Sequence, residues 1–315
     1  MDFIDNVDSG LSAPRKSLSS RYFYDDTGDK IFQAIMHMPE YYLTDCEHEI
    51  FSTRGKDILK ALNLHHGGFE LVEFGAGDGY KTKILIERLL EAGGDFHYIP
   101  IDISDAVLKG LKIDLKKQFP DLVVKPENAE YFEALEKINK NSKRPKLVLF
   151  LGSSVGNFME DRTLLFLNSL YSKLNYDDKV LIGFDLQKDP ATILKAYNDE
   201  KGITRAFNLN ILARINKELG GHFELDNFGH YPLYDPESGL AKSYLVSKKD
   251  HDVYVGALNK TFHFKRGEVI HTEISRKYTM DQIESLFTRT GFQVAEHFHD
   301  CKHYYVNTLA IKTKT

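Results

Sequence analysis

Cysteine is scarce in this chain: Cys46 and Cys301 are the only two among 315 residues. They lie far apart and form no C-x-x-C pair, so no disulfide is expected and both should remain thiols in a reducing compartment. A basic excess is missing as well, because 41 Lys and Arg face 46 Asp and Glu for a net charge of −5. Binding to nucleic-acid backbone needs a cationic face, so nucleic acid is not an expected partner. Long apolar runs are also lacking. The longest candidate, LVLFLG at 147–152, is strand-sized and well short of the roughly 18 residues that a membrane span requires. The opening MDFIDNVDSG has neither a cationic nor an apolar segment and does not read as a signal peptide. A monomeric cytoplasmic chain without membrane contact is the expectation.

What is present is an ordinary globular composition, with 42% hydrophobic and 28% charged residues, which argues against disorder or a coiled coil. The length exceeds one typical domain, which favours two domains or one with a large insertion. From about 69 to 185, short apolar runs alternate with amphipathic stretches, the pattern of strands and helices around a parallel sheet. The expected strands are FELVEF at 69–74, HYIPID at 97–102, LVV at 122–124, KLVLFL at 146–151 and KVLIGFD at 179–185. Ser104 is placed to cap the helix that Pro120 closes. Beyond 185 the rhythm breaks. The stretch from 190 to 278 reads as one helical segment followed by hairpin-like KSYLVS, DVYVGAL and TFHFKRGEVIHTEISRKY, an α+β insertion. MDQIESLFTRTGF is then a helix ending at Gly291, and QVAEHF with YYVNTLAIK forms a closing antiparallel hairpin. An α/β fold follows, with a Rossmann-like sheet domain over 50–190 and 279–315 and a second α+β lobe over 1–49 and 191–278.

VEFGAGDG places Gly75, Gly77 and Gly79 between a strand and a helix, where bare backbone approaches a ligand closely. The dinucleotide fingerprint G-x-G-x-x-G is not met, because Tyr80 stands where the third glycine belongs, which disfavours a nicotinamide oxidoreductase. Asp102 ends the second strand, where a carboxylate can accept both hydroxyls of a ribose. Glu73 within the strand, the G-x-G-x-G turn and Asp102, without a Walker sequence, resemble a class I methyltransferase and point to S-adenosylmethionine. A plain strand-to-helix turn with Asp102 as a helix-initiating acid remains the alternative. After the fourth strand, GSSVGNF offers Gly152 for close cofactor approach and Asn157 as acceptor and donor beside an amine or carboxylate; capping of the helix from about Glu160 is the other role open to Asn157.

RYFYDDTGDKIFQAIMHMPEYYLTDCEHEI, VEFGAGDGYKT, FLGSSVGN, KAYND, AFNLNILARINKEL and TEISRKY together resemble the ergothioneine-pathway histidine Nα-methyltransferases. The match runs in order over nearly the whole chain, and FYDDTGDKIF, PEYYLT and TEISRKY are long and unusual motifs. The resemblance implies a Rossmann-type domain with a second domain from the amino-terminal segment and an insertion, S-adenosylmethionine as cofactor, and trimethylation of the α-amine of histidine to hercynine. It further implies that Asn157 and Tyr197 hold the substrate carboxylate, Glu273 and Ser275 read the imidazole, Tyr41 closes the pocket and Tyr24 sits near the amine. For the cofactor it implies Gly75, Gly77 and Lys81 at the methionine end, Asp102 at the ribose and the ENAEY stretch at the adenine.

Several of these roles have independent physical support. Glu273 and Ser275 are two apart on a strand-like stretch, so their side chains leave on one face, and a charge-assisted bond to a ring nitrogen contributes about 1.5 to 3 kcal/mol. Methyl transfer needs a neutral amine held in line, which Tyr24 can orient, although a phenol near pKa ~10 is a poor base at neutral pH. Tyr24, Tyr41 and Tyr197 fit core or rim packing equally well. Two positions depart from the family pattern. Glu130 stands where the family usually carries Asp for the adenine amine, and Ser243 in LAKSYL stands where it carries Met beside the imidazole. The same chemistry on another amino acid or amine, and a non-catalytic S-adenosylmethionine-binding module, are therefore the alternatives. His297, His299, Asp300, Cys301 and His303 fit no standard metal spacing, so no metal is expected, and His65 with His66 reads as loop.

Overall fold

A computed structural model describes residues 2–62 and 68–313; His65 and His66 lie outside the described residues. Along the chain run α1 (Phe3–Ser12), α2 (Asp26–Met36), α3 (Tyr42–Leu62), β1 (Phe69–Phe74), α4 (Thr82–Glu91), β2 (Phe96–Asp102), α5 (Asp105–Gln118), β3 (Val123–Val124), β4 (Glu127–Asn128) and α6 (Tyr131–Asn141). These are followed by β5 (Lys146–Phe150), α7 (Glu160–Lys173), β6 (Lys179–Asp185), α8 (Pro190–Tyr197), α9 (Ile203–Leu219), β7 (Phe228–Asp235), β8 (Leu240–Ser247), β9 (His251–Val255) and β10 (Lys260–Phe264). The chain closes with β11 (Val269–Arg276), α10 (Met280–Arg289), β12 (Gln293–His299) and β13 (Tyr305–Ile311). It divides into two compact units, between Tyr42 and Leu43, between Gln187 and Lys188, and between Arg276 and Lys277. The boundaries expected from sequence lay at 49/50, 190/191 and 278/279.

The larger unit, Leu43–Gln187 with the chain from Lys277 on, is built on one sheet in the order β12-β13-β6-β5-β1-β2-β3, with β4 also paired to β2. The strands from β6 across to β3 are parallel, and β13 and β12 add antiparallel at one edge. Every residue of β1, β5 and β6 is buried, as expected of parallel strands covered on both faces. Their side chains, among them Val72, Val148 and Ile182, pack with Leu135, Leu167 and Phe287 from the helices. Because β1 lies between β2 and β5, the chain reverses its direction of travel across the sheet there, and the crevice outside the carboxyl ends of β1 and β5 is the usual ligand position in such sheets. Ser104 caps α5 by accepting from the Val107 N–H at 3.3 Å, and Thr279 with Gln282 forms a capping box at α10. Among the described residues, no helix is long and apolar enough to cross a membrane.

The smaller unit holds a three-stranded antiparallel sheet, β11-β8-β7, and the β9–β10 hairpin. Its core gathers Phe23, Phe207, Leu212, Phe228, Leu245, Phe264 and Ile270. The single helical segment expected after 190 is in fact two helices. Asp189 caps α8 through the Ala191 N–H, α8 ends at Tyr197 with Asn198 as its cap, and Asp199 accepts from the N–H groups of Ile203 and Thr204 at the start of α9, each at 2.8 Å. Periodicity also passed over α3, because its buried face carries Thr44 and Glu47 among the apolar residues. Both cysteines are free thiols, Cys46 buried and Cys301 exposed.

Candidate active site

In the larger unit, β1 runs into the glycine turn, and the Gly75 N–H donates to the Ile101 carbonyl of the neighbouring strand at 2.9 Å. Gly77 has φ +54, and a Cβ built there meets nothing within 4 Å, so its backbone is open to a ligand in a conformation that disfavours other residues. Asp102 is not the cap of α5. Its Oδ2 accepts from the Gly77 N–H at 3.2 Å and its Oδ1 from the Ser104 N–H at 2.9 Å. The carboxylate is thus aimed by two loops, and each oxygen retains a lone pair for a further donor. An open glycine backbone beside a held carboxylate fits the adenosyl ribose of S-adenosylmethionine. The Asn128 amide donates to the Asp102 carbonyl at 3.0 Å and ties the ENAEY stretch to the same strand end. Glu130 is exposed at the start of α6. Gly152, at φ +69, lies where a Cβ would stand 3.1 Å from the Lys81 Nζ. Asn157 is exposed at the end of a short 3-10 turn, and the cap position of α7 is Met159, so Asn157 does not cap that helix.

The smaller unit gathers the other expected side chains. Glu273 pairs in register with Ser243, and Ser275 with Ala241. The Ser243 hydroxyl donates to Glu273 Oε2 at 3.4 Å, and Ser243 and Ser275 are buried at 1% and 5% exposure while Glu273 is half-buried. Ala241, Tyr197, Tyr41 and Tyr234 pack in one cluster. Tyr24, 41% exposed, meets Phe32 edge-on at 5.4 Å between centroids, and Phe32 in turn meets Tyr41 at 6.4 Å. The smaller unit therefore carries an aromatic group with Tyr24, Tyr41 and Tyr197 and, on the paired strands β8 and β11, Ser243, Glu273 and Ser275, the two linked where Ser275 pairs with Ala241.

Residues 3–312 match the sequence model of the family described as histidine-specific methyltransferase, SAM-dependent. The chain belongs to that family. It is an S-adenosylmethionine-dependent methyltransferase, and S-adenosylmethionine is its cofactor. A histidine N-alpha-methyltransferase of Mycolicibacterium smegmatis is 32% identical over 98% of this chain and 94% of its own. One of Mycobacterium tuberculosis is 33% identical over 91% and 87%. The ergothioneine biosynthesis protein 1 of Schizosaccharomyces pombe is 29% identical over 91% of this chain and 38% of its own.

Two side chains that the sequence of this histidine-specific methyltransferase already marked, Tyr131 of ENAEY and Glu73 of β1, gain their surroundings from the fold. Tyr131 stacks on Phe74 at 4.8 Å with 3° between the rings, and its hydroxyl lies 3.0 Å from where a Gly75 Cβ would stand. Burial, then the charges of Asp102 and Glu130, push that hydroxyl up to about 12, so Tyr131 acts only as neutral phenol. Tyr131 is the last residue of the ENAEY stretch. Glu73 accepts from the Thr82 hydroxyl at 2.6 Å and from the Tyr98 hydroxyl, and burial pushes its carboxyl up from 4.5 to about 7. A carboxyl raised on folding keeps an extra proton in the native state between those values, so its stabilising influence is present at low pH and lost as pH rises toward 7. Glu73→Gln is therefore expected to gain about 2 to 3 kcal/mol on the parent chain between roughly pH 5 and pH 8. Urea unfolding at the two pH values checks this, and a pH-independent difference is the contrary result. The Glu49, Asp300 and Cys301 ligand atoms lie within 4.8 Å of one another. Asp300 accepts from the N–H groups of Lys302, Tyr304 and Tyr305, and Cys301 donates to Glu49 through N and Sγ. These bonds account for the cluster as the turn of the β12–β13 hairpin.

Proposed function

We propose that this methyltransferase acts on the α-amine of L-histidine, adding up to three methyl groups to give hercynine. The observation that carries the substrate reading is the shared inner face of β8 and β11, where Glu273, Ser275 and Ser243 stand together beside the Tyr41–Tyr197 cluster. A carboxylate and two hydroxyls suit the two nitrogens of an imidazole. Tyr24 orients the amine, its exposure leaving the departing proton a route to water, and Tyr197 holds the carboxylate. Gly75, Gly77 and Lys81 take the methionine end of the cofactor, Asp102 the ribose, Glu130 the adenine amine and Gly152 the close approach. S-adenosylmethionine supplies the electrophilic methyl when bound. The protein contributes orientation and water exclusion for an in-line displacement.

Similarity to the two mycobacterial histidine N-alpha-methyltransferases supports this reading. Mass spectrometry of the protein incubated with S-adenosylmethionine and an equimolar pool of free amino acids tests it. Histidine gaining one, two and three methyls is the expected result. A different methylated amino acid would overturn the substrate and give Ser243, small where the family carries Met, a role in specificity. Glu273→Ala is expected to raise the histidine KM about 10- to 100-fold, the loss of one charge-assisted bond. Its S-adenosylmethionine affinity should stay within about twofold, and equal loss of both would mean a folding defect instead.

A further inference from the structure

Five segments of the larger unit converge on a carboxylate that the roles assigned above leave unused. Glu47 lies on the buried face of α3 with 0% exposure. Its Oε2 accepts from the Lys81 ammonium and, at 2.9 Å, from the Gly152 N–H, while its Oε1 accepts from the Tyr305 hydroxyl of β13 at 3.0 Å. The fifth segment is the middle of β6, where a Cβ on Gly183 would stand 2.6 Å from Glu47 Oε1 and 2.2 Å from the Tyr305 hydroxyl oxygen. Only a glycine at that strand position leaves room for the pair. Burying a carboxylate costs several kcal/mol unless charge and hydrogen bonds compensate it, and all three compensating donors are supplied here.

The identity of two of those donors gives the arrangement its meaning. Lys81 ends the glycine turn after β1, and Gly152 follows β5, so one carboxylate ties together the two loops at the carboxyl ends of adjacent strands. We propose that Glu47 is a positioning residue for the cofactor, holding the Lys81 ammonium and the Gly152 turn at the spacing that receives the methionine end of S-adenosylmethionine. The proposal rests on the assignment of Lys81 and Gly152 to the cofactor. Because Glu47 belongs to the protein, the spacing persists when cofactor and product leave, and each new cofactor meets loops already ordered.

The test compares Glu47→Gln, Lys81→Met, their double variant, Tyr305→Phe and Asp102→Ala by S-adenosylmethionine Kd, steady-state kinetics and melting temperature. Glu47→Gln is expected to raise the KM for S-adenosylmethionine about 10-fold with kcat within about threefold. In the Lys81→Met background it should add less than about twofold, since both residues act as one unit. Tyr305→Phe, which leaves Glu47 two of its three donors, should raise that KM about threefold and keeps the proposal testable if Glu47→Gln does not fold. A lower melting temperature with unchanged KM, additive losses in the double variant, or a wild-type KM in Tyr305→Phe would each overturn it. If Lys81→Met and Asp102→Ala both bind S-adenosylmethionine like the parent chain, the cofactor assignment itself fails and takes this proposal with it. Weak binding in those two beside normal binding in Glu47→Gln rejects the positioning role alone.

Discussion

Asp102→Ala is expected to lower S-adenosylmethionine affinity by roughly two to four orders of magnitude, the loss of two charge-assisted hydrogen bonds at about 1.5 to 3 kcal/mol each. The carboxylate is already held by the Gly77 and Ser104 N–H groups, so on the proposed assignment a ribose diol would meet an acceptor that needs no reorganisation. Removing it also releases the Gly77 N–H from its acceptor and loosens the turn that the rest of the cofactor requires. Asp102→Asn keeps an acceptor but loses the charge, and should fall between the parent chain and alanine. Isothermal titration with S-adenosylmethionine and S-adenosylhomocysteine checks both, since both ligands carry the same ribose and should weaken in parallel. A loss confined to one ligand would place Asp102 away from the ribose.

The second large effect is on stability and leaves chemistry alone. Lys146 and Asp178 form an ion pair at 3.1 Å with side-chain exposures of 0% and 1%, at the start of β5 and just before β6, the opposite end of these strands from the glycine turn. Asp178 also accepts from the backbone N–H groups of Lys146 and Asn175, each at 2.8 Å. Lys146→Met removes the cation and leaves a buried carboxylate with backbone donors only, at a cost of about 3 kcal/mol. Lys146→Met with Asp178→Asn should recover part of that loss, because the uncompensated charge is gone. Denaturant unfolding measures both, with kcat at low temperature expected to stay near the parent value. A single variant as stable as the parent would show that the two backbone donors already satisfy the carboxylate.

Much of this architecture was legible because its signals are local. FELVEF, KLVLFL and KVLIGFD are continuous apolar runs bounded by turns, and a run of that kind can be satisfied only in a strand covered on both faces. Ser104 announced α5 through cap chemistry, and the G-x-G-x-G turn announced a close ligand approach because that backbone conformation needs glycine. Long motifs such as FYDDTGDKIF and TEISRKY pointed to the family, which the match over residues 3–312 then established. Other features were illegible for an equally physical reason. Helix α3 escaped because a carboxylate interrupts its apolar face, and α8 and α9 read as one because Asp199 separates them over only a few residues.

By itself, then, the sequence determined the alternation of strands and helices over 69–185, the glycine turn and the chemical types of the candidate residues, which depend on neighbours a few positions apart, and the family, which rests on motifs along nearly the whole chain. Only the tertiary structure decided which distant groups meet. Nothing in the chain near Glu47 predicts Lys81, Gly152 and Tyr305, which lie 34, 105 and 258 residues away. Nor does the sequence near Asp178 show that Lys146 is its partner, or the sequence near Glu273 that Ser243 stands opposite. A buried charge selects its partner by proximity in the folded core, where desolvation makes the pairing necessary, and that proximity exists only after the sheet has assembled.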